Sequence, residues 1–166
     1  VSGGAQAPVR AWVGIGANLE DPRRQVETAL GELAALPSTR LVTASSRYRT
    51  PPMGPPDQPD YVNAVAELET ALAPLALLDE LQRIESAHLR QRGAERWGPR
   101  TLDLDLLLYG DARLDLPRLT VPHPGIADRA FVLVPLAEIA PDLSIPGLGP
   151  LRRLVEKVSA AGMEKL

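Results

Sequence analysis

The run Trp12-Val13-Gly14-Ile15 is short, apolar and closed by Gly16, the pattern of a buried strand. Asp21 followed by Pro22 then supplies a helix N-cap and a proline at the first helical position. Val26, Ala29, Leu30, Leu33 and Leu36 recur at helical spacing until Pro37 stops the pattern. Residues 41–48 read as a strand, and the proline-dense stretch 49–60 as a loop, because so many prolines cannot pair inside a sheet. From 61 to 69 the chain alternates: Val62, Ala64, Ala66 and Leu68 point one way, Tyr61, Asn63, Glu67 and Glu69 the other. Pro74 opens a second helix on Leu77, Leu78, Leu81 and Ile84. Residues 86–100 are polar, Arg-rich and aperiodic, which predicts a second long loop.

Residues 101–109 carry the strongest strand signal, with Leu102, Leu104, Leu106 and Leu108 expected on one face. A polar connection to Leu119, a Pro-His-Pro turn, a helix near 128–140, a short strand near 143–145 and a last helix near 150–160 complete the prediction. The order β-α-β-β-α-β predicts a ferredoxin-like α+β core with an antiparallel sheet, additional C-terminal helices and two long loops. Residues 1–10 read as a flexible leader and 11–166 as one domain, a size that buries a real core.

Asp103 and Asp105 lie two apart on a strand and project from the face opposite the leucines. Their Cα atoms stand about 7 Å apart, and like charges so placed repel. A charge-protected, solvent-facing strand is one explanation. A hard cation such as Mg²⁺, which takes one or two carboxylates plus substrate phosphates, is the other. Arg83, Arg90, Arg92, Arg96 and Arg100 crowd the stretch just before, opposed only by Glu85 and Glu95. Guanidinium forks match phosphate oxygens in a bidentate way, so cations beside a carboxylate pair suit polyphosphate transfer. Trp97 in that polar loop is either a packing anchor or a stacking surface for a flat ligand. Tyr61 and Asn63 flank the proline-rich loop, with Thr50 at its other end; an amide both donates and accepts, as reading the edge of a heterocycle requires. His123 sits between prolines with Arg129 and the sole phenylalanine, Phe131, following.

Composition narrows these options. The chain has no Cys, which removes thiolate chemistry, disulfides and Cys-ligated metals. Lys157 and Lys165 are the only lysines, and neither has the setting of a P-loop or Schiff-base lysine. A net charge of −3 and 4% aromatic residues argue against nucleic-acid binding. No apolar run approaches a membrane span and no secretory signal opens the chain, so a cytoplasmic protein with no membrane partner is expected. Nothing in the pattern demands a partner chain, and a monomer is expected.

Four segments then match one family in order: Gly16-Ala17-Asn18-Leu19; Tyr48-Arg49-Thr50-Pro51-Pro52 with Asp57-Gln58-Pro59-Asp60-Tyr61-Val62-Asn63; 95–105; and 121–135. With them the chain resembles the 6-hydroxymethyl-7,8-dihydropterin pyrophosphokinase family of folate biosynthesis, for which Arg96-Trp97-Gly98-Pro99-Arg100-Thr101-Leu102-Asp103-Leu104-Asp105 is highly specific. The resemblance implies transfer of pyrophosphate from ATP to the pterin hydroxymethyl oxygen, with release of AMP. It implies Asp103 and Asp105 as ligands of two Mg²⁺ ions, and as catalytic residues together with Arg90 and Arg100. For ATP it implies Gln82, Arg92, Arg96, Leu106, Arg118, Thr120, His123 and Arg129. For the pterin it implies Thr50, Pro51, Met53, Tyr61, Asn63, Trp97, Asp103 and Phe131, the ring lying between Trp97 and Phe131. Glu85 reads as support for the site. The chain departs from the family with Ala17 in place of Ser and Ala127-Asp128-Arg129 in place of His-Glu-Arg. The residues alone leave another two-metal nucleotidyl or phosphoryl transferase as the alternative.

Overall fold

The computed structural model describes residues 7–19, 21–52, 59–91 and 102–166, with the backbone alone at 90 and 91. β1 (Val9–Ala17) is buried at every position from Ala11 onward, as a strand covered on both faces must be. It starts at Val9, so the last positions of the expected leader belong to the sheet. Arg10 there lies 2.5 Å from Glu67 and 3.7 Å from Glu69. α1 (Pro22–Ala34) opens as predicted, with the Asp21 carboxylate accepting from the Arg24 N–H at 3.4 Å, and it buries Val26, Ala29, Leu30 and Leu33. Each buried leucine of this kind stabilises the fold by about 1.5–3 kcal/mol.

The strand expected over 41–48 is two strands, β2 (Thr39–Ala44) and β3 (Tyr48–Thr50), both antiparallel to β4 (Tyr61–Thr70). Ser45 makes the break possible: its N–H donates to the Val65 carbonyl at 2.8 Å while its Oγ accepts from the Val65 N–H at 2.9 Å. The side chain stands in for a backbone carbonyl while the strand bends. Pairing resumes at Tyr48 and continues to Thr50, so Arg49 and Thr50 are strand residues rather than the start of the loop.

α2 (Pro74–Gln91) buries Leu77, Leu78, Leu81 and Ile84 as predicted, but it runs one and a half turns beyond the expected loop boundary at 86. The reason is His88, four residues after Ile84 and only 2% exposed. Its ring nitrogens lie 2.6 Å from Gln25 Oε1 and 2.5 Å from Glu32 Oε1, both on α1. A polar residue thus continues the apolar stripe, which hydrophobic periodicity cannot register. Arg83, expected to face the aspartates, instead pairs with Glu80 on the exposed side of the helix at 2.9 Å.

β5 (Asp103–Tyr109) follows, then a hairpin of β6 (Leu114–Asp115) and β7 (Thr120–Val121), and a single 3₁₀ turn at Ile126–Asp128. α3 (Ala130–Ile139), the pair β8 (Ser144–Ile145) and β9 (Gly149–Pro150), α4 (Leu151–Glu156) and β10 (Glu164–Lys165) complete the chain. α3 and α4 are shorter than expected. Among the described residues the main sheet has six strands in the order β10-β3-β4-β1-β5, with β2 pairing β4 beyond β3, and every pairing is antiparallel. This is the ferredoxin-like arrangement.

Two cores lie on opposite faces of the sheet. α1 and α2 cover Val13, Ile15, Ala64, Leu68, Leu104 and Leu106, while α3 and α4 cover Trp12, Val65, Leu107 and Leu108. Leu108 is therefore on the face opposite to the one expected. The register explains it: Trp12 pairs with Leu108 but Val13 with Leu106, so Leu107 is an extra residue and the alternation inverts beyond it. Among the described residues no helix is long and apolar enough to cross a membrane.

Candidate active site

The register of the three central strands sets the floor of the site. Gly16 of β1 lies between Asn63 of β4 and Asp103 of β5, and Gly14 lies between Val65 and Asp105. Paired residues share a face, so the row Gly14, Gly16, Asp103, Asp105, Asn63 looks out on the α3 side. Two glycines at strand period remove the side chains that would otherwise fill this end of the sheet. A Cβ on Gly16 would come within 2.7 Å of Asn63 Oδ1. The resulting cavity of about 200 Å³ is walled by Thr50, Pro51 and Tyr61 on one side and by Arg129, Phe131 and Val132 on the other.

Asn63 and Thr50 hold each other in place in this cavity. Asn63, 6% exposed, donates its Nδ2–H to Thr50 Oγ1 at 2.7 Å, which leaves its Oδ1 turned toward Gly16. Burial pushes the Tyr61 phenol above its ordinary pKa, and the Asp103 carboxylate adds to the shift, so Tyr61 stays protonated and able to donate. The Arg129 guanidinium lies 5.8 Å from the centroid of Phe131. Gly125 makes room for that side chain, since a Cβ there would meet Arg129 Nε at 2.7 Å.

Asp103 and Asp105 also line a second, more open groove on the outer edge of β5. Its other walls come from Leu78, Gln82 and Glu85 of α2 and from Leu116, Arg118, Thr120 and His123 around the β6–β7 hairpin. Arg118 reaches across to α2, 2.6 Å from Asp79 and 3.0 Å from Gln82 Oε1. Glu85 accepts from the Leu104 N–H at 2.8 Å, holding the exposed edge of β5 between the two aspartates. His123 is docked on the strand by its own N–H, which donates to the Leu107 carbonyl at 2.9 Å. Its Nδ1 accepts from the Gly125 N–H at 3.1 Å, so the neutral ring carries its proton on Nε2. Burial lowers its pKa; Arg129 adds to this, and the opposing pull of Asp105 does not cancel it.

The structure therefore brings together most of the predicted residues, in two compartments. Thr50, Pro51, Tyr61, Asn63 and Phe131 line the cavity, and Gln82, Leu106, Arg118, Thr120 and His123 line the more open groove. Asp103 and Asp105 line both. Arg129, expected on the nucleotide side, lines the cavity and also acts electrostatically on His123 of the groove. Met53, Arg92, Arg96, Trp97 and Arg100 lie outside the described residues, as does the side chain of Arg90. The floor glycines were not legible as such. Gly-x-Gly inside an apolar run was the available signal, because an interior strand glycine often marks close approach by a ligand.

The donor set fits Mg²⁺. Two carboxylates stand on one strand face and border both the cavity and the groove. Magnesium takes such a pair when phosphate oxygens and water complete its shell.

Comparison with known proteins agrees with this geometry. The family model for 7,8-dihydro-6-hydroxymethylpterin-pyrophosphokinase (HPPK) matches residues 12–141. A 2-amino-4-hydroxy-6-hydroxymethyldihydropteridine pyrophosphokinase from Pseudomonas aeruginosa is 53% identical over 157 residues, covering 95% of this chain and 96% of that protein. One of the same name from Haemophilus influenzae is 51% identical over 158 residues, covering 95% and 98%. Among solved structures, the fold matches wild-type Plasmodium falciparum HPPK-DHPS with pteroate at a TM-score of 0.72 and 14% identity, covering 90% of this chain. The chain spans 42% of that longer protein. A family match running from the central strand to the end of α3, with relatives above half identity along nearly the whole chain, places this protein in the 7,8-dihydro-6-hydroxymethylpterin-pyrophosphokinase family.

Proposed function

We propose that the chain transfers pyrophosphate from ATP to 6-hydroxymethyl-7,8-dihydropterin, giving AMP and the pterin diphosphate, with the two substrates meeting at Asp103 and Asp105. The observation that carries this assignment is the shared wall. The same two carboxylates border a cavity of about 200 Å³ and a more open groove lined by Arg118, Thr120 and His123.

In the cavity, Asn63 and Thr50 read the polar edge of the pterin while Phe131 covers one face of the ring. In the groove, the His123 Nε2–H and the Arg118 guanidinium donate to phosphate oxygens. Two Mg²⁺ ions, held by Asp103 and Asp105, would supply charge neutralisation along the triphosphate and lower the pKa of the attacking hydroxymethyl group. Glu85 fixes the backbone between the aspartates and so keeps their spacing. Arg90 and Arg100 supply the cations that meet charge developing on the phosphates.

Calorimetry tests the assignment: magnesium with an unhydrolysable ATP analogue is titrated first, then the pterin. Pterin binding should strengthen once nucleotide and metal are present, because the two sites share their acidic wall. Pterin affinity indifferent to both would contradict it.

A further inference from the structure

The two walls of the cavity belong to elements far apart in sequence. Thr50 and Pro51 come from β3 and the residues after it; Phe131 comes from the first turn of α3. A helix cannot share the hydrogen bonds of a sheet, so side chains must set their separation. Glu138, near the far end of α3, joins them. One carboxylate oxygen accepts from Tyr48 Oη at 2.5 Å and the other from Ser46 Oγ at 2.7 Å. The Ser46 N–H lies 3.1 and 3.0 Å from the two oxygens. The partners are matched in charge state. Burial of Tyr48, with Glu138 beside it, keeps the phenol protonated as a donor. Burial acts to raise the Glu138 pKa, but the hydrogen bonds from Tyr48 and Ser46 and the charge of Lys165 outweigh it and keep the group an ionised acceptor.

The geometry links this contact to the cavity. Phe131 and Glu138 are seven residues apart, two turns along one side of α3. Tyr48 and Thr50 are two apart, on one face of β3. The helix side and strand face that touch at Glu138 and Tyr48 are the same ones that stand apart at Phe131 and Thr50. β3 is backed on its other side by the C-terminal segment. β10 pairs with it, Lys165 Nζ lies 5.9 Å from the Tyr48 ring centroid, and a Cβ on Gly162 would come within 3.2 Å of Pro51 Cγ.

We propose that Glu138 is a positioning residue for the pterin: through Tyr48 and Ser46 it fixes the gap between Phe131 and Thr50–Pro51 into which the ring slides, without touching the substrate. This rests on the pterin reading of the cavity. Glu138 is itself exposed, so its loss opens no core.

The test uses the full chain and the variants Glu138→Ala, Glu138→Gln and Tyr48→Phe. Affinity for oxidised 6-hydroxymethylpterin is read by its fluorescence, with magnesium and an unhydrolysable ATP analogue saturating. Nucleotide affinity and Tm are measured alongside. Glu138→Ala should weaken pterin binding about ten- to a hundredfold, since small displacements of positioning groups have effects of that size. Nucleotide affinity should stay within about twofold. Glu138→Gln, which keeps one acceptor oxygen, should fall between, and Tyr48→Phe should weaken pterin binding less than Glu138→Ala. Unchanged pterin affinity in all three, or a parallel loss of nucleotide and pterin affinity, would overturn the proposal. If Glu138→Ala does not fold, the other two variants decide. Wild-type protein that binds nucleotide but no pterin would refute the functional reading itself, a result distinct from variants that bind as well as wild type.

Discussion

Gly16→Ala puts the floor of the cavity to the test with a single methyl group. The new Cβ would sit 2.7 Å from Asn63 Oδ1, well inside contact distance, and 3.9 Å from the Tyr61 ring. Asn63 cannot yield freely, because its amide is buried and bonded to Thr50 at 2.7 Å. If Asn63 holds its place, the strand must give, and overpacking of that kind costs about 1–3 kcal/mol. If Asn63 moves, the bond to Thr50 breaks and a buried polar group goes unsatisfied, which costs about 1–3 kcal/mol as well. Either route corresponds to a factor of about 5 to 150 in an equilibrium constant.

The cost falls on folding if the packing strains the empty protein, and on pterin binding if Asn63 turns away from the ring. Both are measurable: Tm should drop by about 2–10 °C for a chain of this size, or pterin affinity by the factor above. Gly31→Ala is the matched control. It is the same chemical change, but on α1, where an added Cβ meets nothing within 4 Å. A helix-interior glycine costs about 0.5–1 kcal/mol relative to alanine, so this variant should melt slightly higher. A Gly16→Ala protein with wild-type Tm and wild-type pterin affinity would refute the tight floor and, with it, the fixed orientation of Asn63.

Three further perturbations address the shared wall and its supports. Asp105→Asn keeps shape and removes charge, so magnesium-dependent turnover should fall about a hundredfold or more while Tm stays near wild type; ordinary turnover would contradict the metal assignment. Glu85→Ala removes the acceptor for the Leu104 N–H and should cost about 1 kcal/mol, or about 2–4 °C in Tm, with turnover reduced beyond what that loss explains; activity that tracks Tm alone would reduce Glu85 to a structural bond. His123 is harder to protonate folded than unfolded, so the stability it contributes above its ordinary value of 6.5 is lost as pH falls through the lower folded value. His123→Gln lacks that loss, and the wild-type Tm should decline against the variant as pH drops below 6.5; a constant difference across that range would refute the assignment of the shift.

Periodicity carried most of the fold, and its failures have local causes. Alternation placed Val62, Ala64, Ala66 and Leu68 on the α1–α2 core and left Tyr61 and Asn63 for the cavity. It misplaced Leu108 because the bulge at Leu107 inserts a residue, and a bulge leaves no mark on the hydrophobic pattern. α2 looked shorter than it is because the buried position that follows Ile84 among its described side chains is His88, whose burial depends on Gln25 and Glu32 some sixty residues earlier in the chain. β6 and β7 contribute two residues each, too few for any period to show. The site's carboxylates, amide and aromatic side chains were legible because side chains carry that chemistry. Its floor was not, because Gly14 and Gly16 contribute the absence of side chains, and only the register against Asp103 and Asp105 shows what that absence exposes.

The central claim is transfer of a pyrophosphoryl unit across the wall of Asp103 and Asp105, and the identity of the nucleotide product decides it. The wild-type chain, incubated with ATP, magnesium and 6-hydroxymethyl-7,8-dihydropterin, should release AMP and the pterin diphosphate in equal amounts, both visible by ³¹P NMR. Release of inorganic pyrophosphate with the nucleotidyl group attached to the acceptor, or of ADP with a pterin monophosphate, would contradict it.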